Sequence, residues 1–494
     1  MVKGRNNPRI LALDIINRFF EGSRPLKDII YEALDSCALK EADRRFVFNI
    51  AKGTVRYYLR WDHLISHIAG RELKNIDPGI LNILRMGAYQ CYFMESVPAY
   101  STVDESVKLA KRESRAAPGF VNAVMRRLTA IQDPVRYLEE LLDEKGATDE
   151  ERISVIYSFP GWLAGYWIKH FGIHKTVRIC SSLNQVPVFY IRMSRDRYLE
   201  AYQDKVAEDT DIHRIITGRL EYFRAEPVGI KAADLTGIDP ALDRVLVTLK
   251  GGKLKKEDLL FPEAAAISSP LGMEKETLYR RGVITVQDLS SQMGVKYFLE
   301  PARDEAILDC CAAPGGKTSF AALLMQNTGR IVAVEKNRGK TGMLEENLKR
   351  MGVKNTAVLT ADSSRPGFLD GLLPEGQGYF DRILVDAPCT ALGTIAKNPE
   401  VKYNRSPADV KRLSQLSLDI MSACHPYLRR GGRLVYYTCT ISPEENENTV
   451  RRFINRMEGM YSIATCRGVD MELEIMPYYL GSEGGYVCVL YKKA

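Results

Sequence analysis

No C-x-x-C pair occurs among the ten cysteines, and the six histidines are scattered along the 494 residues. A structural zinc site, or any other metal site, is therefore not expected. No run approaches the roughly 18–20 uninterrupted apolar residues of a membrane helix. The first nine residues are basic, but Asp14 and Arg18 soon follow, so the apolar core of about 7–15 residues that marks a secretory signal is missing. These absences predict a cytoplasmic chain whose cysteines are free thiols, most of them small buried hydrophobes. There is no internal repeat, no low-complexity tract and no G-x-G-x-x-G dinucleotide loop. With 45% hydrophobic and 27% charged residues the composition excludes a fibrous or disordered chain. At roughly 150 residues per domain the length predicts about three domains.

The net charge of +7 is unevenly placed. Residues 1–140 carry about 22 basic and about 17 acidic side chains, most of the excess. They read as a bundle of short helices. Ala12, Ile15, Ile16 and Phe19 form one apolar stripe at helical spacing, and Val121, Val124, Met125 and Leu128 form another. Pro25, Asp77-Pro78-Gly79 and Pro118-Gly119 punctuate the segment. Arg126 and Arg127 fall off the second stripe, with Lys111, Arg112 and Arg115 just upstream. Such a cluster suits a phosphate backbone, and equally an ordinary solvated face. Residues 141–165 read as a linker, with a highly charged run at Asp143–Arg152. Residues 166–300 read as a small α/β domain with strands at Pro187–Arg192 and Arg244–Leu249.

From 301 to 494 short continuous apolar runs recur: Ala306–Leu308, Ile331–Val334, Thr356–Leu359, Ile383–Val385 and Leu434–Tyr437. Helical stretches lie between several of them. One is expected over Ser406–Leu428, capped by Ser406 and Pro407 and closed by Gly431-Gly432. This alternation predicts a parallel, doubly wound Rossmann-like sheet, with a late strand at Tyr486–Tyr491.

Ile307-Leu-Asp-Cys-Cys-Ala-Ala-Pro-Gly-Gly-Lys-Thr318 runs from a strand into a tight small-residue turn. In such sheets ligands bind beyond the carboxyl ends of strands. Gly316-Lys317-Thr318 fits the end of a phosphate-binding loop, but Cys311 stands where its first glycine belongs. S-adenosylmethionine has no phosphate and asks only for close backbone approach, which Gly315 and Gly316 permit. Glu335 ends the next strand, where an acid can accept two ribose hydroxyls; Asp362 follows the third, where adenine would lie. An acid at a strand end is also often only a helix cap.

Two cysteines follow strands on that same side. Cys389 comes after Asp386-Ala-Pro, and Cys439 after Leu434-Val-Tyr-Tyr-Thr. A lone cysteine is usually core filler. Two at paired strand ends beside an acid suit one chemistry. Carbon 5 of cytosine is a poor nucleophile, but thiolate attack at carbon 6 turns the ring into an enamine that accepts a methyl group. Asp386 is placed to hydrogen-bond the ring nitrogen, and a second thiol could assist release.

These residues resemble the RNA (cytosine-5)-methyltransferases, specifically the bacterial RsmB (Sun) type that modifies small-subunit (16S) ribosomal RNA. Asp309–Thr318 resembles that family's first motif, Asp386–Cys389 its fourth, and Gly431–Cys439 with Pro443-Glu-Glu-Asn-Glu447 its sixth. Gly282–Gln292 resembles the lead-in. Asp43–Arg56 and Gly119–Arg126 resemble the family's NusB-like helical RNA-binding domain. The resemblance implies three domains: a NusB-like helical domain, a small RRM-like α/β domain and a Rossmann-like S-adenosylmethionine-dependent methyltransferase domain. It implies that Cys439 is the nucleophile, that Cys389 assists product release and that Asp386 activates the ring. Cys311, Ala312, Ala313, Pro314, Gly315, Gly316, Lys317, Glu335, Asp362 and Asp386 would line the cofactor and base pocket. Thr390 and Thr440 replace the serine common after each cysteine, and Glu335 replaces a common aspartate. The stretch from about 193 to 260 matches weakly. The expected function is methylation of carbon 5 of a cytosine in 16S rRNA by a monomer. The alternatives are the same chemistry on tRNA or another RNA, and a non-catalytic RNA-binding or antitermination factor.

Overall fold

A computed structural model of the chain describes residues 7–22, 24–194, 226–230, 259–267, 270–372, 378–466, 469–478 and 481–494. They form two units: residues up to Gln185 together with 395–406, and residues 186–394 together with 407–494.

The first unit is helical. Its helices are α1 (Pro8–Glu21), α2 (Leu26–Asp35), α3 (Glu41–Arg56), α4 (Tyr58–Ala69), α5 (Pro78–Phe93), α6 (Ala99–Glu113), α7 (Pro118–Ala130), α8 (Pro134–Glu144), α9 (Asp149–Tyr157) and α10 (Gly161–Leu183). The expected breakers are helix starts. Asn7, Asp77 and Asp133 each accept backbone N–H groups just ahead of a first-turn proline. Both predicted apolar stripes are buried, on α1 and α7. Lys111, Arg112, Arg115, Arg126 and Arg127 are exposed. The charged run at 143–152 is helical for much of its length, because Thr148 and Glu151 form a capping box that opens α9.

The second unit begins with an antiparallel sheet in the order β2–β3–β1–β4, built from β1 (Phe189–Met193), β2 (Glu226–Ile230), β3 (Leu259–Ile267) and β4 (Ile284–Val286). The strand expected at Arg244–Leu249 lies outside the described residues, as does most of 193–260.

The larger sheet contains β5 (Ala306–Asp309), β6 (Arg330–Glu335), β7 (Thr356–Thr360), β8 (Phe380–Asp386), β9 (Leu428–Thr438), β10 (Tyr461–Ile463), β13 (Glu472–Ile475) and β14 (Gly485–Lys492). A two-stranded ribbon, β11 (Thr465–Cys466) and β12 (Val469–Asp470), stands apart. The order is β10–β14–β9–β8–β5–β6–β7, with β13 beside β14. The five strands β7, β6, β5, β8 and β9 are parallel, β14 runs antiparallel to β9, and β10 and β13 each pair antiparallel with β14. Leu308, Val332, Ile383, Val385 and Leu434 are buried, which is why these strands read as continuous apolar runs. The helices are α11 (Gly316–Leu324), α12 (Arg338–Arg350), α13 (Pro407–Cys424) and α14 (Glu447–Arg456).

The helix expected over Ser406–Leu428 stops earlier, at Cys424. Pro426 has no N–H to continue it, and residues His425–Tyr427 form a tight turn. Gly431-Gly432 then lies within β9 and does not close the helix. From β5 the chain steps to β6 and β7 on one side, then returns to β8 on the other. The carboxyl ends of β5 and β8 are thus the switch point at which such sheets bind ligands.

Residues 395–406, between β8 and α13, pack within the helical unit. There Tyr403 donates its hydroxyl proton to the Ser158 carbonyl at 3.0 Å, and the buried Lys402 ammonium lies 4.0 Å from the Phe159 ring centre.

Candidate functional site

The loop after β5 is tied to its neighbours by backbone bonds. Cys310 N donates to Leu384 O at 2.9 Å and Ala312 N to Val334 O at 2.9 Å. Gly315, at φ 100°, opens α11, and a Cβ there would stand 2.8 Å from a Leu344 methyl. Only glycine takes that conformation without strain. Asp309 is buried beneath the loop, accepting the Thr318 hydroxyl at 2.7 Å and Cys311 N at 3.3 Å. Burial pushes its carboxyl up to about 7. From the small sheet, Arg192 donates to Gly316 O at 2.7 Å and to Ser319 Oγ at 2.8 Å, fixing the first turn of α11 from behind.

Lys317 reaches across to β8, where its Nζ sits 2.8 Å from Asp386 Oδ2 and 4.1 Å from the Tyr437 ring centre. Burial disfavours the ammonium, but Asp386 outweighs it and the Lys317 pKa is raised. The same cation feels Cys439. Tyr437 is itself anchored by a 2.9 Å hydroxyl contact with Ser290.

Glu335 ends β6 and accepts Asn337 N at 2.7 Å. It does not cap α12; Asn337 does, accepting Gly339 N at 2.9 Å and Lys340 N at 3.2 Å. Asp362 follows β7. Its carboxylate accepts Ser364 Oγ at 2.6 Å and pairs with Lys336 at 2.8 Å and Arg365 at 3.4 Å. Burial opposes ionisation there, yet Lys336 and Ser364 hold the group down at about 2.

Cys389 follows β8 and Cys439 follows β9, and their Sγ atoms are 3.2 Å apart. The parallel register pairs Asp386 with Tyr437, so extensions of three and two residues bring the two thiols together. Ala387 N donates to Tyr437 O at 2.9 Å, and Gly393 N to Cys439 O at 3.1 Å. The hydrogen bond to Cys389, and then burial, push the Cys439 thiol well above the ordinary range. Cys311 is also raised, by burial first, and stays outside this thiol pair.

Of the residues singled out from sequence, the structure brings Lys317 to Asp386 and Cys389 to Cys439. It leaves Glu335 and Asp362 at the ends of β6 and β7. Three others were missed. Asp309 lies inside the first motif but reads as part of a strand. Arg192 comes from a distant strand that nothing in the local sequence marks. Glu445 is one of three acids in Pro443–Glu447, and only its burial, at 1% exposure, sets it apart.

Among the described residues no helix is long and apolar enough to cross a membrane, and no cluster of side chains would hold a metal ion. The family model for the 16S rRNA methyltransferase RsmB/F matches residues 296–485, and that for the NusB family matches residues 6–130. A probable ribosomal RNA small subunit methyltransferase B from Synechocystis is 30% identical over 433 residues, covering 87% of this chain and 84% of the relative. A protein of the same description from Bacillus subtilis is 25% identical over 508 residues, covering 99% of both chains. The crystal structure of PH0851 shares the fold with a TM-score of 0.71, covering 98% of this chain and 99% of that one at 22% identity. With its NusB-type helical part ahead of an RsmB/F catalytic sheet, the chain belongs to the ribosomal RNA small subunit methyltransferase B family of S-adenosylmethionine-dependent enzymes.

Proposed function

We propose that the chain methylates carbon 5 of a cytosine in small-subunit ribosomal RNA through a covalent adduct between Cys439 and carbon 6. The observation that carries this reading is the thiol pair, 3.2 Å apart at the ends of adjacent strands, beside the Lys317–Asp386 pair. The names of the curated relatives support the choice of RNA. The exposed cations Lys111, Arg112, Arg115, Arg126 and Arg127 suit its phosphates.

S-adenosylmethionine, when bound, supplies the methyl group. The residues fit it: Cys311–Lys317 form a tight loop without space for a side chain at Gly315, and the Glu335 and Asp362 carboxylates at the ends of β6 and β7 would hold the ribose and the adenine. In the resting site Cys439 is a thiol and must lose its proton to attack, a loss that the Lys317 ammonium favours. As the Cys439 Sγ–carbon 6 bond forms, the ring nitrogen takes up a proton from the Lys317–Asp386 pair, and the proton given up by Cys439 replaces it. Carbon 5 then takes the methyl group. The carbon 5 proton then leaves to solvent, relayed by Cys389, which restores the ring double bond and expels Cys439 as thiolate; the ring nitrogen returns its proton to Cys439 through the Lys317–Asp386 pair.

Incubation with unmodified small-subunit rRNA and methyl-labelled cofactor should yield 5-methylcytidine on nucleoside digestion. Cys439→Ala should abolish that product while leaving cofactor affinity within a few-fold. Label in another nucleoside, or normal turnover of the variant, would sink the proposal. Label on tRNA alone would keep the chemistry and move the substrate.

A further inference from the structure

Each of the two cysteines is followed directly by a threonine, and both threonines meet one buried carboxylate. Glu445 Oε1 accepts Thr390 N at 2.7 Å, and Oε2 accepts the Thr390 hydroxyl at 2.6 Å. The Thr440 hydroxyl lies 2.9 Å from Thr390 Oγ1 and 3.4 Å from Glu445 Oε2. Both threonines are fully buried. Proton counting fixes the direction: Thr390 spends its only hydroxyl proton on Glu445, so Thr440 donates to Thr390. The next residue, Asn446, ties down the end of β9, accepting Thr438 Oγ1 at 2.6 Å and donating to Thr440 O at 3.0 Å. Glu445 touches neither thiol.

We propose that Glu445 is a positioning residue that fastens the Cys389 loop to the Cys439 loop and so holds the two thiols face to face. This rests on the reading of Cys439 as nucleophile and Cys389 as release thiol. Consecutive Cα atoms are about 3.8 Å apart, so a shift of either threonine is passed directly to its cysteine. A carboxylate suits the task because it accepts from several donors at once, where an amide oxygen has half the capacity. The requirement on the loops is a hydroxyl after each cysteine, which serine or threonine meets equally. Burying the acid is costly and pushes its carboxyl up to about 7, and these hydrogen bonds offset only part of that cost.

The test uses the full-length chain, with Glu445→Gln as the first variant. Its kcat for methyl transfer should fall at least tenfold, while KM for S-adenosylmethionine stays within twofold. RNA-linked protein should accumulate during turnover, because Cys389 no longer meets the adduct. Cross-linking of Cys389 to Cys439 by diamide, which takes up the two thiol hydrogens, should slow at least fivefold. That readout needs no turnover, so it stands or falls apart from the proposed reaction. Thr390→Ser with Thr440→Ser should behave as wild type, and Thr390→Val with Thr440→Val should reproduce the Glu445→Gln losses. The valine pair carries the test if Glu445→Gln does not fold. Wild-type kcat in Glu445→Gln, or in the valine pair, would overturn the proposal even if cross-linking slowed. If Cys439→Ala kept turning over while cross-linking still depended on Glu445, the reaction scheme would fail and the clamp would lose its purpose.

Discussion

Cys439 keeps its proton in the resting site chiefly because it shares a hydrogen bond with another thiol. The hydrogen bond from one sulfur to the other favours the neutral form, and burial adds to it. The sign of this effect makes a prediction at the level of one residue. Removing Cys389 removes the largest cause of the upward shift, so Cys439 should ionise at lower pH in Cys389→Ala. Labelling by iodoacetamide rises with the thiolate fraction. Its rate at Cys439, in the protein without cofactor, should therefore climb at a lower pH in the variant than in the wild type. An unchanged or upward-shifted profile would mean that burial alone sets the ionisation. The other residues of the site divide in the same way between those with a chemical role and those that hold them. Lys317 in the first turn of α11 pairs with Asp386 at the end of β8, whereas Asp309, Arg192 and Glu445 bind the loops around them.

Among the elements, the turn from β5 into α11 has little tolerance for change. Gly315 has φ 100°, and a Cβ there meets Leu344 on α12 at 2.8 Å. Gly315→Ala should cost about 1–3 kcal/mol of stability through backbone strain and overpacking. It should also weaken binding of S-adenosylmethionine, since the strain falls on the loop that approaches it. Thermal unfolding and calorimetry on the same variant read both; a variant as stable and as tight-binding as wild type would contradict the account. This turn was legible in the sequence because a glycine pair after an apolar strand permits the tight turn and close backbone approach that other residues cannot adopt. The carboxyl ends of the strands were legible too, since continuous apolar runs mark strands buried on both faces. The end of α13 was not. The apolar pattern continues through His425–Tyr427 into β9, and a proline that breaks the helix competes there with a glycine pair that looks like its cap. Arg192 was illegible for a different reason: its bond to Gly316 spans 124 residues, and no local pattern encodes so distant a partner.

For the whole molecule, the helical front part and the catalytic sheet were both visible in the sequence, one by its apolar stripes, the other by its strand rhythm. The packing of residues 395–406 within the helical unit was not visible, because Lys402 and Tyr403 read as an ordinary polar loop. Composition also could not say which acid of Pro443–Glu447 turns inward. What unites the chain is the chemistry proposed at β8 and β9, and one measurement bears on it most directly. Cys389→Ala, incubated with S-adenosylmethionine and unmodified small-subunit rRNA and run on a denaturing gel, should give a protein–RNA adduct. The adduct should vanish when Cys439→Ala is added. An adduct that persists in the double variant, or none at all on an RNA that the wild type methylates, would contradict the account of two thiols with divided roles.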